Sequence, residues 1–143
     1  MKVLKYKKEH FDALYEIEKE AFSDFWSEKG MKDEVSLKQA HYYVAEEDGK
    51  ILGYAGFWLI IDEAEIMKIA VKKSERGKGI GNSLLLALSE DAKSMGAEKI
   101  LLEVREGNTP ARKLYEKHGF ISYAVREKYY EGKENAVLYK KNL

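Results

Sequence analysis

A glycine-rich segment in the middle of the chain has the composition of an anion-binding loop. It lies between an apolar stretch and an amphipathic stretch and reads Arg76-Gly77-Lys78-Gly79-Ile80-Gly81. Glycine lacks the Cβ atom that would keep a ligand away from the backbone, so the N–H groups of such a loop can reach a phosphate. A helix that starts here adds its dipole, and the two basic side chains add positive charge. The segment therefore predicts a pyrophosphate site.

Other phosphate-binding loops fit this segment less well. A Walker loop requires Ser or Thr after its lysine, whereas Lys78 is followed by Gly79. A dinucleotide-binding fingerprint requires glycine where this chain has Asn82. On the loop alone, a surface turn with incidental basic residues remains the alternative.

Two side chains further along have the types needed for proton transfer. Glu103 ends an apolar stretch, at the strand end where open sheets bind ligands, and its carboxylate could take a proton directly or through a water. Tyr115 follows on a predicted helix; a phenol with a pKa of ~10 stays protonated at neutral pH and can protonate a thiolate whose conjugate acid lies near ~8.5. The alternatives are a carboxylate paired with Arg105 or a lysine, and an ordinary half-buried tyrosine.

The predicted strands and helices are the elements that must position these residues. Period-two and apolar patterns predict strands at 2–6, 42–47, 50–60, 65–71, 100–104, 120–127 and 135–141. Helical spacing predicts helices at 9–22, after the cap Ser27, at 80–95, and around Pro110. The order predicts one α/β domain spanning 1–143, with helices on both faces of a mixed (α+β type) sheet and a parallel crossover at 65–104.

Composition excludes several classes of function. The chain has 143 residues and no cysteine, so thiol nucleophiles, Cys-ligated metals and disulfides are ruled out. Lys+Arg and Asp+Glu both number 25, which argues against a nucleic-acid partner. His10, His41 and His118 are scattered, so no metal is expected. The apolar run 55–61 is too short to span a membrane, and a cytoplasmic protein is expected.

Several motifs in order carry a resemblance to a known family. The pattern Arg76-x-x-Gly79-x-Gly81, directly after residues 66–71, resembles the acetyl-CoA loop of GNAT acetyltransferases. The RimI-like branch, which acetylates the N-terminal alanine of ribosomal proteins, has similar motifs at Asp62-Glu63-Ala64, Leu102-Glu103-Val104-Arg105, Asn108, residues 114–120 and Lys128-Tyr129-Tyr130. The chain departs from that branch at Phe25, where proline is frequent.

The resemblance implies a fold, a donor and a set of roles. It implies the GNAT acyl-CoA N-acyltransferase fold, acetyl-CoA as donor, Glu103 as base and Tyr115 as acid. The residues expected to contact the donor are Ile69, Ala70, Val71, Arg76, Gly77, Lys78, Gly79, Ile80, Gly81, Asn108 and Tyr115. A backbone N–H of 69–71 would stabilise the oxyanion, and Asn108 could equally be a helix cap. The resemblance implies that Tyr129 and Tyr130 lie in a loop bordering the acceptor groove. Trp26 is a further candidate for contact with the acceptor, and packing is the alternative role of all three residues.

The favoured function is acetylation of the N-terminal α-amine of a protein or peptide acceptor, such as a ribosomal protein. An α-amine has a pKa of ~7.7–8.0 against ~10.4 for lysine, so a modest base suffices. With no cysteine, direct attack in a ternary complex is expected. The alternatives are a small-molecule amine acceptor (polyamine, aminoglycoside or amino acid), a lysine acceptor, or a non-catalytic acyl-CoA-binding module. The sequence leaves the oligomeric state open.

Overall fold

The computed structural model describes residues 1–143 and contains one seven-stranded mixed sheet and four α-helices. The elements are β1 Lys2–Lys5, α1 Phe11–Ala21, α2 Glu28–Ser36, β2 Ala40–Glu47, β3 Lys50–Ile60, β4 Glu63–Val71, α3 Ile80–Ser94, β5 Lys99–Arg105, α4 Thr109–Lys117, β6 Ile121–Tyr130 and β7 Glu134–Asn142. The predicted order of elements is confirmed. The boundaries shift by a few residues, since β4 begins earlier and β6 ends later than the patterns indicate.

The sheet has the strand order β1-β2-β3-β4-β5-β7-β6. Every neighbouring pair is antiparallel except β4 and β5, which are parallel and so confirm the predicted crossover. Their pairing is short and ends at Glu65 opposite Leu101, although both strands continue beyond that point. The two strands therefore separate and leave a wedge-shaped split in the middle of the sheet.

A β-bulge in β4 lies just beyond the last paired position. Gly56 faces Lys68 and Phe57 faces Ile66, so Met67 is the extra residue on β4. A bulge bends its strand and increases the local twist. The bend turns the end of β4 away from β5 and accounts for the split.

Helices cover both faces of the sheet, as predicted. On one face, α3 buries the stripe Leu84, Leu85, Leu88 and Ala92 in the larger of two apolar clusters, which also receives Tyr115 from α4. On the other face, α1 and α2 bury Phe11, Leu14, Ile17 and Met31 in a smaller cluster. The helical spacing of these apolar side chains is what selects the buried face of each helix. None of the helices has the length and apolar character that crossing a membrane requires.

The turns and caps follow from local sequence. Asp48 and Gly49 both have positive φ, as the two-residue turn between β2 and β3 requires. Ser27 caps α2 by accepting a hydrogen bond from the Gly30 N–H at 3.0 Å. These short-range signals confirm the predicted hairpin and cap.

Candidate active site

The glycine-rich loop presents a row of unused hydrogen-bond donors. The backbone N–H groups of residues 77–82 donate to no acceptor within the chain. Gly77 and Gly79 have φ of 80° and 83°, which L side chains rarely adopt, and Gly79 is the N-cap of α3. A Cβ atom at either glycine would meet nothing within 4 Å, so the approach to the loop is open. Free N–H groups at the start of a 15-residue helix fit a pyrophosphate.

Basic side chains flank this loop in two different ways. Arg76 donates from Nε to the Val71 carbonyl at 3.2 Å, which ties the loop to the end of β4. Lys78 is exposed and pairs with Glu75 at 2.7 Å. Ile80 is buried and anchors the start of α3 in the core. The predicted loop residues are therefore brought together at one end of the split.

Replacing Gly79 by alanine is expected to raise KM for acetyl-CoA about tenfold, because the new Cβ stands where the ligand approaches the N–H groups. The left-handed conformation of alanine adds about 1–2 kcal/mol of strain. Gly96, past the other end of α3, has φ of 94° and open space, so Gly96→Ala is a matched control for strain alone. Steady-state kinetics and melting temperatures compare the two; equal KM values would contradict the assignment.

The edge of β4 that borders the split also has free backbone groups. The Lys72 N–H donates to the Leu52 carbonyl on β3 at 2.8 Å, and antiparallel pairing alternates along the strand. Ala70 therefore turns its N–H towards β3, while Ile69 and Val71 turn theirs towards the split. No β5 residue pairs with this segment. Two N–H donors are thus available to a ligand that lies in the split.

Glu103 lies on β5 two residues beyond the last β4–β5 pair, on the sheet face that α1 and α2 cover. Its Oε1 is 3.5 Å from a guanidinium nitrogen of Arg126, so its cationic neighbour is Arg126 rather than Arg105 or a lysine. Its negative charge raises the pKa of the Tyr129 hydroxyl. Burial, and then the charge of Glu103, raise the pKa of Glu65 at the apex of the split. Glu103 therefore belongs to a polar cluster beside the split.

Tyr115 lies on the opposite face of the sheet, in the apolar cluster that α3 covers. Its ring packs against Phe120 and Tyr139 and is only 8% exposed. Its hydroxyl makes no side-chain hydrogen bond, and no fully buried side-chain oxygen lacks a partner, so this oxygen is not completely buried. Burial, followed by the charge of Tyr130, raises the pKa of Tyr115. The group is a protonated phenol that is free to donate.

Tyr129 and Tyr130 end β6 beside these groups. The Tyr130 ring lies 4.4 Å from the Arg105 guanidinium carbon, and burial, then the Glu103 charge, raise the pKa of Tyr130 to about 12. The charge of Tyr130 in turn helps to raise the pKa of Tyr115, so Tyr130 interacts electrostatically with both the predicted base and the predicted acid. Arg105, which sequence reasoning considered only as a partner for Glu103, instead contacts Asp24, Glu131 and Glu134.

Trp26 and Asn108 both have local contacts that fix the segments before α2 and α4. The Trp26 N–H donates to Glu18 at 3.0 Å and its carbonyl accepts from the Tyr15 hydroxyl at 2.8 Å, which fixes the loop before α2. Asn108 caps α4 by accepting from the Ala111 N–H at 3.3 Å, so the cap is confirmed and its amide nitrogen remains available. Contact of Asn108 with a cofactor stays a prediction.

Sequence reasoning missed the buried pair Glu18 and Lys68, which lies under the Trp26 loop. The two residues are far apart in the chain, and Lys68 is the one charged residue in the otherwise apolar segment 66–71. A lysine within an apolar segment was the one sequence signal of a buried charge, but it did not indicate Glu18 as the partner of Lys68.

Comparison with known proteins agrees with this geometry. Residues 11–120 match the acetyltransferase (GNAT) family. The chain is 38% identical to the putative ribosomal protein bS18-alanine N-acetyltransferase of Bacillus subtilis (strain 168), over 85% of this chain and 82% of that protein. It is 37% identical to the ribosomal protein bS18-alanine N-acetyltransferase of Haemophilus influenzae, over 90% of this chain and 89% of the relative.

A solved structure confirms the fold. The ribosomal-protein-S18-alanine N-acetyltransferase from Escherichia coli superposes with a TM-score of 0.92 at 28% identity, covering 99% of this chain and 92% of that one. The family match covers residues 11–120, and the similarity to both relatives extends over most of the chain. The chain belongs to the acetyltransferase (GNAT) family and is an acetyl-CoA-dependent N-acetyltransferase.

Proposed function

We propose that this enzyme transfers the acetyl group of acetyl-CoA to the N-terminal α-amine of a protein, with a ribosomal protein such as bS18 as the acceptor. The observation that carries the proposal is the split between β4 and β5, with Glu103 on β5 just beyond the last paired position. Tyr115 packs on the opposite sheet face, from which its hydroxyl would serve the same split. The relatives' named acceptor supports the choice of a protein N-terminus.

The donor would be held at three places along the split. The N–H groups of residues 77–82 would bind the pyrophosphate, and the edge of β4 at Ile69 and Val71 would bind the pantetheine arm. The free amide nitrogen of Asn108 could add a further contact. When bound there, acetyl-CoA supplies an acetyl group activated as a thioester.

The chain's own residues would then manage the protons. Glu103 takes a proton from the attacking amine, directly or through a water, as the new N–C bond forms. A backbone N–H of Ile69 or Val71 stabilises the negative charge that develops on the carbonyl oxygen. Tyr115 gives its proton to the sulfur as the C–S bond breaks. With no cysteine in the chain, attack is direct and no acetylated enzyme forms.

An acceptor peptide would lie on the face that carries Glu103. Trp26 and Tyr129 are partly exposed there, and Tyr130 stands beside Arg105. Asp24, Glu131 and Glu134 surround the same arginine and leave that surface rich in carboxylates. Trp26, Tyr129 and Tyr130 are therefore the aromatic side chains placed to contact an acceptor.

The test is release of free CoA from acetyl-CoA, followed by mass spectrometry of two peptides. One peptide begins Ala-Arg with a free N-terminus; the other is N-terminally blocked and has an internal lysine. Acetylation of the free N-terminus alone is expected, since far more α-amine than lysine is neutral at pH 7. Acetylation of the blocked peptide would replace the proposal with a lysine acceptor, and turnover with small amines alone would replace it with a small-molecule acceptor. A stable acetylated enzyme without acceptor would contradict direct attack.

A further inference from the structure

A buried ion pair lies beneath the loop that joins α1 to α2. Glu18 on α1 is 0% exposed, and the side chain of Lys68 on β4 is 8% exposed. The Lys68 ammonium donates to both carboxylate oxygens, at 2.9 and 2.7 Å. Neither residue has a part in the proton transfers proposed above.

Every polar atom of this pair is satisfied. Glu18 also accepts hydrogen bonds from the Tyr54 hydroxyl and from the backbone N–H of Trp26, the latter at 3.0 Å. Removing two charges from water is costly, and apolar residues of similar size often serve stability as well or better. Stability alone is therefore a weak reason for the pair, and its contacts point to another one.

Lys68 also contacts two aromatic rings of the loop at residues 22–27. Its Nζ atom lies 4.7 Å from the centre of the Phe22 ring and 4.1 Å from the centre of the Trp26 ring. Both distances lie in the range of cation–π attraction, which is strongest for Trp and for a desolvated cation. One ammonium group thus holds the loop at both of its ends.

The same loop reaches the acceptor side of the split. Asp24, in its middle, lies 3.7 Å from a guanidinium nitrogen of Arg105. Arg105 stacks on Tyr130, on the sheet face that carries Glu103. The Lys68 ammonium lies over the Trp26 ring, and Trp26 as a whole residue is still 37% exposed, so the residue is not sealed from a ligand.

We propose that Lys68, held in place by Glu18, is a positioning residue that sets the Trp26 ring as one wall of the acceptor groove. Lys68 directly follows the bulge residue Met67, on the strand whose edge borders the split. The acceptor wall and the donor strand are thereby joined through one side chain. This inference rests on the proposed function for its kinetic consequences, but the placement of Trp26 can be measured without any acceptor.

The test uses variants that separate positioning from charge burial. Lys68→Met alone leaves the Glu18 carboxylate buried without its cation, which threatens folding. The double variant Glu18→Gln/Lys68→Met removes both charges and keeps the side-chain lengths. Lys68→Arg retains the ion pair and the cation–π contacts. Lys29→Met is the control, because Lys29 is 86% exposed and pairs only with Asp33 on α2.

In the double variant, KM for the acceptor peptide is expected to rise about tenfold through misplacement of the groove wall, while KM for acetyl-CoA stays within about twofold. Lys68→Arg restores most of the acceptor KM, and Lys29→Met leaves it unchanged. The second readout is acrylamide quenching of Trp26 fluorescence in a Trp58→Phe background, since the chain has two tryptophans. Quenching is expected to increase in the double variant and not in the control.

The outcomes distinguish this inference from the proposed function. A wild-type acceptor KM in the folded double variant overturns the positioning role. If the parent enzyme acetylates no peptide, the proposed acceptor is wrong and quenching decides alone: unchanged quenching overturns the placement of Trp26 by Lys68, and increased quenching supports it.

Discussion

Replacing Glu103 by glutamine is expected to lower kcat by about 10²- to 10³-fold and to leave KM for acetyl-CoA within about twofold. Glutamine has nearly the shape of glutamate but cannot accept the proton of an attacking amine. The substitution changes neither the donor-binding loop nor the edge of β4, so the affinity for acetyl-CoA should persist. Steady-state kinetics with a peptide acceptor, alongside the melting temperature, measures both quantities.

The ion pair with Arg126 offers a competing explanation for such a loss. If Glu103 served only to hold Arg126, then Arg126→Met would lower kcat as much as Glu103→Gln does. The pair is partly exposed and its closest N–O distance is 3.5 Å, so a small structural contribution is expected. Glu63→Gln, at the other end of β4 where Glu63 pairs with Lys99, controls for loss of a strand carboxylate. Equal losses in Glu103→Gln and Arg126→Met would contradict the base assignment.

Short-range sequence signals predicted most of the elements correctly. These signals depend on residues that are only a few positions apart, so they can be recognised in a short stretch of sequence. They include the apolar stripe of α3, the Asp48-Gly49 turn and the caps Ser27 and Asn108. The glycine loop belongs to the same class, because Gly77 and Gly79 adopt positive φ angles that L side chains rarely adopt.

Features that arise from pairing between distant segments could not be predicted from these short-range signals. The bulge at Met67 and the early end of the β4–β5 ladder follow from the register of three strands, which no local pattern encodes. The contact of Arg126 with Glu103 likewise joins β6 to β5 across the intervening β7, an order of strands that the local sequence does not indicate. Sequence reasoning could therefore propose candidate catalytic residues, but it could not identify the charged and aromatic neighbours that surround them.

Replacing Tyr115 by phenylalanine is expected to lower kcat by about 10²-fold, because the departing thiolate loses its proton donor. Phenylalanine preserves the ring that packs against Phe120 and Tyr139, so the melting temperature should change little. Tyr43→Phe is a matched control: it removes a hydroxyl that donates to Asp91 at 2.7 Å, far from the split along the sheet, and should leave kcat unchanged.

The pH dependence gives this role a sharper test. Burial raises the pKa of Tyr115, so the protonated phenol persists to higher pH than in an ordinary tyrosine. Deprotonation of Tyr115 should therefore not reduce kcat in the wild-type enzyme below about pH 10. A ring-fluorinated tyrosine at this position is more acidic and should bring the alkaline loss of kcat to lower pH. If the fluorinated enzyme keeps the wild-type pH profile, the proton that reaches the sulfur comes from another group, and solvent water in the split becomes the donor.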